Sequence, residues 1–303
     1  MGSNRSDNMS MTQMVKCMQK GLTDLSKVEM KKPKGLYGRK LNINCGGWFS
    51  ANLGDFDIEC VIPFDDDTEA NEAEIVIYNL STKSIQSLEY NAPITITAGY
   101  EMDSTGVIFQ GNISQVKTKR TDLDTITTIY AVDNKSLKER DMISKSYAAG
   151  TKASTILRDL VNQLNLPIAA FQVVRDHSYP EETTVEGGIM SKIKELAGVC
   201  GVKAYINKQA VYVQPLDYAA SDWFDITPKT GLISDVEISV EEEKHENYTD
   251  KRTVYTFTTL LNHRIVPSCA VNLNCRDVTG QFRVFKGQHT INESEFCTEI
   301  SCY

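Results

Sequence analysis

The sequence predicts a mainly β protein with an α+β insertion, read along the chain as a β domain, a small α+β module and a second β domain. Three observations carry this. Short runs of alternating apolar and polar residues fill 36–145 and return from 230 to 303, while the stretch between them holds apolar residues at helical spacing. The length of 303 residues exceeds what one small module needs. The composition, 41% hydrophobic and 24% charged, is that of a folded globular chain rather than a disordered or coiled-coil one.

Residues 1–10 are polar and are set aside from the fold. From Met11 the apolar positions Met11, Val15, Met18, Leu22 and Leu25 step by four and three, which lines one face of an amphipathic helix that Lys31-Lys32-Pro33-Lys34-Gly35 ends. Candidate strands follow at Lys40–Asn44, Phe56–Ile62, Ala73–Tyr78, Pro93–Ala98, Val107–Lys117 and Thr125–Val132. Each has roughly one apolar face, and both a small barrel and a sandwich satisfy the pattern. Ser81 is a natural N-cap for a short helix to Leu88, placed to cover the apolar interior. Lys152–Leu164 and Gly188–Val199 read as helices, and Val202–Ile206, a turn at Asn207-Lys208-Gln209 and Ala210–Gln214 read as a hairpin. The last β region offers Ile233–Val240, Thr253–Leu260, Ala270–Asn274, Phe282–Gln288 and Phe296–Ser301. The expected units are a basic arm with its helix (1–35), a first β domain (36–147), the module (148–220) and a second β domain (221–303).

The net charge is −8, which disfavours general binding to a phosphate backbone. It is unevenly spread: residues 1–40 hold nine Lys/Arg against three acids, a net +6 that leaves −14 for the rest. A basic arm on an acidic body would lie on an acidic partner or on a neighbouring copy. Two acidic clusters stand out, Asp65-Asp66-Asp67 with Glu69, Glu72 and Glu74, and Glu241-Glu242-Glu243 with Glu246. Each follows a strand in its own half of the chain. They are the candidate lumen-lining or subunit-interface loops, repelling passing DNA or meeting a neighbour's basic arm; solvated loops are the plain alternative. The aspartates lack the spacing of an EF-hand loop.

No stretch approaches the roughly 18 apolar residues of a membrane helix, and the start lacks the apolar core of a signal peptide. Eight cysteines in a chain this long are too sparse for a disulfide scaffold and read as buried thiols. There is no C-x-x-C pair for zinc; His263, Cys269, Cys275 and His289 have unusual spacing for a metal site. His177 with Asp176, Glu181, Glu182 and Cys200 could be cast as a Cys/His hydrolase, but the sequence does not show that these groups converge. No catalytic, cofactor-binding or metal-ligating residue is therefore assigned.

The runs Asn71–Ser81, Ile94–Tyr100 and Val107–Ile113, together with Gly231-Leu232-Ile233, Thr259-Leu260-Leu261-Asn262, Gly280–Val284 and Phe296–Tyr303, resemble the baseplate hub proteins of long-tailed phages and contractile injection particles, including the late control protein D group. The resemblance covers roughly 36–303. It implies two tube-type β-barrels flanking the α+β module, and a homotrimeric ring of six barrel units that joins a sixfold tail tube to a threefold central spike. The implied partners are the tail tube or tube-initiator protein, the central spike protein and neighbouring baseplate proteins, with DNA passing through the lumen unrecognised and no cofactor. Assembly is expected in the bacterial cytoplasm, and residence in a virion or phage-like particle. The N-terminal arm has no counterpart in the pattern. The chain stops at Tyr303 with no glycosidase, peptidase or spike domain behind it, which implies a separate spike. The alternative is a cell-wall hydrolase or cell-wall-binding module carried by such a particle, with the middle module as its ligand site.

Overall fold

A computed structural model of the chain describes residues 35–133, 142–215, 223–244 and 249–303. The expected Met11 helix and nearly all of the basic arm lie outside the described residues. Of the rest, the protein is mainly β, with antiparallel pairing throughout its large sheet except for one parallel pair.

The first β region contains β1 (Arg39–Cys45), β2 (Phe49–Asn52), β3 (Ile58–Asp65), β4 (Glu72–Tyr78), the short helix α1 (Thr82–Gln86), β5 (Pro93–Tyr100), β6 (Thr105–Arg120) and β7 (Thr125–Val132). Their order in the sheet is β3-β4-β7-β6-β5-β1-β2. Alternation sorts the faces: in β4 Ala73, Ile75 and Ile77 are buried while Glu72 and Glu74 are exposed. Phe49 and Ala51 from one end of this order and Ile58 and Cys60 from the other enter the same core, so the sheet curls into a barrel. Ser81 caps α1 by accepting from the Ser84 amide at 3.1 Å, and Ile85 and Leu88 pack on the barrel interior.

The middle module holds β8 (Met142–Tyr147), α2 (Ala153–Gln163), β9 (Ile168–Phe171), β10 (Thr183–Gly188), α3 (Ile189–Val199), β11 (Lys203–Asn207) and β12 (Ala210–Gln214). Ile156, Leu157, Leu160 and Val161 of α2 and Ile193, Leu196 and Ala197 of α3 share its core. The expected hairpin forms on a two-residue turn, Lys208 and Gln209, both with positive φ (50° and 60°). β8 pairs with β10, so Met142–Tyr147 packs with the module rather than with the first β region as the sequence suggested.

The last region contains β13 (Trp223–Ile226), β14 (Glu237–Lys244), β15 (Thr249–Leu260), β16 (Ala270–Asn274), β17 (Thr279–Ile291) and β18 (Phe296–Cys302). The strand expected from Ile233 begins only at Glu237. Ile233 and Ser234 instead direct their amides to the Thr258 carbonyl from outside the ladder. The order β14-β15-β18-β17-β16-β13 repeats that of β3-β4-β7-β6-β5-β1, strand for strand. Within the six shared strands the direction differs at one pair: β13 runs parallel to β16, whereas β1 runs antiparallel to β5.

The two copies are joined edge to edge. Lys286–Ile291 of β17 pairs with Cys60–Asp65 of β3, which makes one continuous 13-stranded sheet. Strands near this seam serve both interiors. Ile58, Cys60 and Ile62 of β3 fill the first core and Phe64 the second; Ile291 and Phe296 fill the first, Val284 and Ile300 the second. Gly287 of β17 lies between its two neighbours, where a Cβ would stand 2.4 Å from the Glu299 carbonyl oxygen of β18 and 2.5 Å from the Phe64 ring of β3.

Two stability measurements follow from these contacts. Gly287→Ala is expected to cost about 1–3 kcal/mol by overpacking the seam, whereas Gly198→Ala in α3, where the added methyl meets nothing within 4 Å, gains about 0.5–1 kcal/mol; chemical denaturation of both variants checks the contrast. Asp133, buried after β7, accepts from the Asn71 backbone and side-chain amides at 2.9 and 3.1 Å. Burial outweighs these bonds and lifts its carboxyl from 3.8 to about 7. The folded state thus holds a proton that the unfolded state has released, so this contribution is full below pH 3.8 and is lost as pH rises through about 7. Asp133→Asn should flatten the fall in melting temperature across that window.

Candidate assembly site at the barrel junction

The polar centre of the molecule lies where the middle module meets the two barrels. Asp66, just past β3, is 3% exposed and sits between two cations: Lys203 Nζ of β11 donates to Oδ1 at 2.8 Å and Arg283 Nη1 of β17 to Oδ2 at 2.8 Å. The Arg283 guanidinium also donates to the Tyr303 hydroxyl at 2.5 Å and to Ser268 Oγ at 2.7 Å. Ser268 Oγ pairs with the Tyr205 hydroxyl at 2.8 Å, and Gln214 Nε2 donates to that hydroxyl at 2.8 Å. Segments distant in sequence are thereby tied through one connected network.

The turn of the module hairpin makes a second contact, with the first barrel. Lys208 Nζ donates to the Val107 carbonyl at 2.5 Å and Gln209 Nε2 to Asn112 Oδ1 at 2.9 Å, both on β6. Burial drives the Lys208 ammonium down to about 8. Burial, then Arg264 and Lys208, lower His263 to about 4. His289 lies inside the seam with its ring 5.0 Å from that of Phe64 and Nδ1 2.9 Å from Thr298 Oγ1; burial pushes it down to about 3. The two histidines are held neutral near pH 7 as interior packing, while Lys208 stays mostly protonated and holds the Val107 carbonyl.

Part of each acidic cluster, Asp65, Asp66 and Asp67 from one and Glu241 and Glu242 from the other, lines one groove of about 310 Å³ with Lys203, Arg252, Phe285 and Lys286; Glu246 lies outside the described residues. Their charges are answered within the chain: Lys194 reaches Asp67 at 3.1 Å, Lys286 reaches Glu241 at 2.9 Å and Lys251 reaches Glu242 at 2.5 Å. Glu243 lies opposite Asp250 in the β14–β15 ladder. Sequence reasoning found the acids but missed Arg283, Lys203, Tyr205 and Gln214. A signal was present, since Arg283 interrupts the apolar run Phe282–Phe285.

The residues weighed for catalysis have other work. Asp176 caps α2 from a distance, accepting from Ser154 N at 3.1 Å and Ser154 Oγ at 2.9 Å. His177 is exposed against Tyr179, and the Cys200 thiol is buried, which raises its pKa rather than activating it. Among the described residues no three His, Cys, Asp or Glu side chains are grouped to hold a metal ion, and no helix is long and apolar enough to cross a membrane.

The model of one protein family, described as baseplate hub gp41, matches residues 73–241, more than half of the chain. The chain belongs to this baseplate hub family. It is thus a structural protein of the phage tail type. No curated protein matches it in sequence. Solved structures share the fold at low identity. The tail protein from Neisseria meningitidis MC58 superposes with a TM-score of 0.63 at 9% identity, over 88% of this chain and 96% of that one. The 43 kDa tail protein of prophage MuSo2 from Shewanella oneidensis gives 0.63 at 7% identity over 88% and 97%. The E. coli c3393 protein, a type VI secretion component described as similar to T4 tail proteins gp27 and gp5, gives 0.58 at 8% identity over 86% and 76%.

Arg283→Met keeps the bulk of the side chain but leaves buried Asp66 with Lys203 as its remaining ion-pair partner in this network. We expect a loss of about 3–5 kcal/mol in urea unfolding, partly recovered when Asp66→Asn is added, as in a double-mutant cycle.

Proposed function

We propose that this hub-family chain is a non-enzymatic symmetry adapter: three copies close into a ring of six barrels that joins a sixfold tail tube to a threefold central spike. The observation that carries this reading is the internal duplication, the same six-strand order twice in one chain, joined edge to edge through β3 and β17. A ring of such pairs offers six similar barrels to one neighbour. The α+β module, present once per pair, offers three of everything to the other. The first and last β regions would be the two tube-type units, and the module from 142 to 215, which takes in the Met142–Tyr147 strand, the threefold element.

The ladder registers favour the outward side of the shared sheet as the channel wall. Glu59 and Glu74 share that side with Glu299 and Glu237, carried across by the pairs Val61–Glu74, Thr290–Val61, Glu299–Gln288 and Glu237–Thr256. All four glutamates are exposed. Lys117 and Lys119 lie exposed on the same side, so the wall carries both signs with an acidic excess, which disfavours sticking of passing DNA. Asp65, Asp66, Asp67, Glu241, Glu242 and Glu243 would stand at one end of this wall, near subunit contacts. The tube or tube-initiator, the spike and adjoining baseplate proteins are the partners of this reading, with assembly in the bacterial cytoplasm and residence in a virion or phage-like particle.

Native mass spectrometry of the purified chain, alone and mixed with the product of the neighbouring spike-like reading frame, tests the ring. A trimer in either condition is expected; a strict monomer in both would remove the symmetry-adapter reading.

A further inference from the structure

The seam between the two barrels is a template for a second seam that a single chain leaves open. In the second barrel, β16 pairs with β17 as far as Arg283, and from Lys286 to Ile291 the vacated edge of β17 is taken by β3. In the first barrel, β5 pairs with β6 as far as Asn112. Beyond Ile113 the matching edge of β6 has no ladder partner among the described residues, and Lys117, Thr118, Lys119 and Arg120 are exposed. At the far end of the sheet β14, the counterpart of β3, likewise has no ladder partner on its outer side among the described residues.

The register of this open seam can be read from the closed one. Both barrels carry a bulge where β6 or β17 passes from one neighbour to the next, between Ile113 and Gln115 and between Val284 and Lys286. Matching the bulges makes Gln115–Arg120 the counterpart of Lys286–Ile291. Carried through the pairs Glu74–Tyr130 and Thr256–Ser301, the same match makes 236–241 the counterpart of Cys60–Asp65. Ile62 and Phe64, sealed inside the closed seam at 0% and 5% exposure, then correspond to Ile238 and Val240, which are 56% and 63% exposed. Two aliphatic side chains lie open where their counterparts are core.

We propose that β14 of one chain adds to the free half of β6 of a second copy, antiparallel, with Glu237 opposite Lys119, Ser239 opposite Lys117 and Glu241 opposite Gln115. Ile238 and Val240 then close against the Val116 and Thr118 side of the neighbour. The contact is head to tail, so each copy uses both of its ends, and in the threefold ring proposed above three such contacts complete the circle. Charge complementarity selects a second copy as the occupant: Glu237 meets Lys119 directly, with Lys117 and Arg120 beside it, while Glu241 and Glu242 keep their own-chain partners Lys286 and Lys251. At the closed seam the pair in the place of Glu237 and Lys119 is the uncharged Val61 and Thr290, joined within one chain and needing no selection. This surface deepens the ring reading above and rests on it.

The test is disulfide trapping in the full-length chain. Directly opposed residues bring their Cβ atoms to about 4.5–5.5 Å, close to disulfide range, while a shift of two residues does not. Lys117→Cys with Ser239→Cys should give covalent dimers and trimers on non-reducing denaturing gels after mild oxidation. Lys119→Cys with Ser239→Cys and each single variant should stay monomeric, which also controls for the native thiols. Native mass spectrometry of the same samples separates the two readings. Trimers that do not cross-link at this pair, or that cross-link equally in the shifted pair, overturn this surface and leave the ring standing. Chains that stay monomeric with and without the spike-like partner overturn both. As an independent arm, Lys119→Glu and Glu237→Lys should each weaken association at least 10-fold, and the double exchange should restore most of it; failure of the exchange to restore it counts against the pairing.

Discussion

Six backbone pairs between β3 and β17 hold the architecture together. Without them the chain would be two curled sheets with two raw edges, each a liability in water. With them one hydrogen-bonded surface runs through both barrels, and side chains from the same strands fill one interior and then the other. That is why Phe64 belongs to a different core from Ile62, only two residues earlier. The seam leaves little freedom: at Gly287 the Phe64 ring of β3 and the Glu299 carbonyl of β18 leave no room for a side chain.

The middle module is fixed by chemistry of another kind. It meets the barrels through charge and hydrogen bonds, with Asp66 between Lys203 and Arg283, and with Lys208 capping the Val107 carbonyl. Buried ion pairs add little net stability because desolvation offsets their attraction, yet they tolerate only one geometry. Apolar packing makes each of the three units. Polar pairing fixes how they meet, which is what the ring proposed above would need held constant.

The fold class was legible because alternation and helical spacing are local properties. Strands with one clean apolar face, such as Ala73–Tyr78 and Thr125–Val132, were read nearly to the residue, as were the helices of the module and its hairpin. The shorter strands escaped. Phe49–Asn52 offers only two apolar positions, and Trp223–Ile226 owes its pairing with β16 to a neighbour some 45 residues downstream. The acidic clusters were visible as charge runs, but sequence could not show that parts of both line one groove or that their counter-charges come from this same chain. Arg283 was hidden inside an apolar strand. Its meaning depends on Asp66, more than 200 positions earlier, and no local pattern links the two.

That same separation bears on how the molecule is made. β3 leaves the ribosome long before β17 exists, and at about 5–20 residues per second the first barrel waits on the order of 10–40 s with an open edge. During that interval the β17 of another chain, already complete, is chemically indistinguishable from the one still to come. Crowded synthesis on one message would therefore favour exchanged barrels between nascent chains. A cell that makes this protein in quantity has reason either to space its ribosomes or to shield that edge with a chaperone until the C-terminal strands arrive.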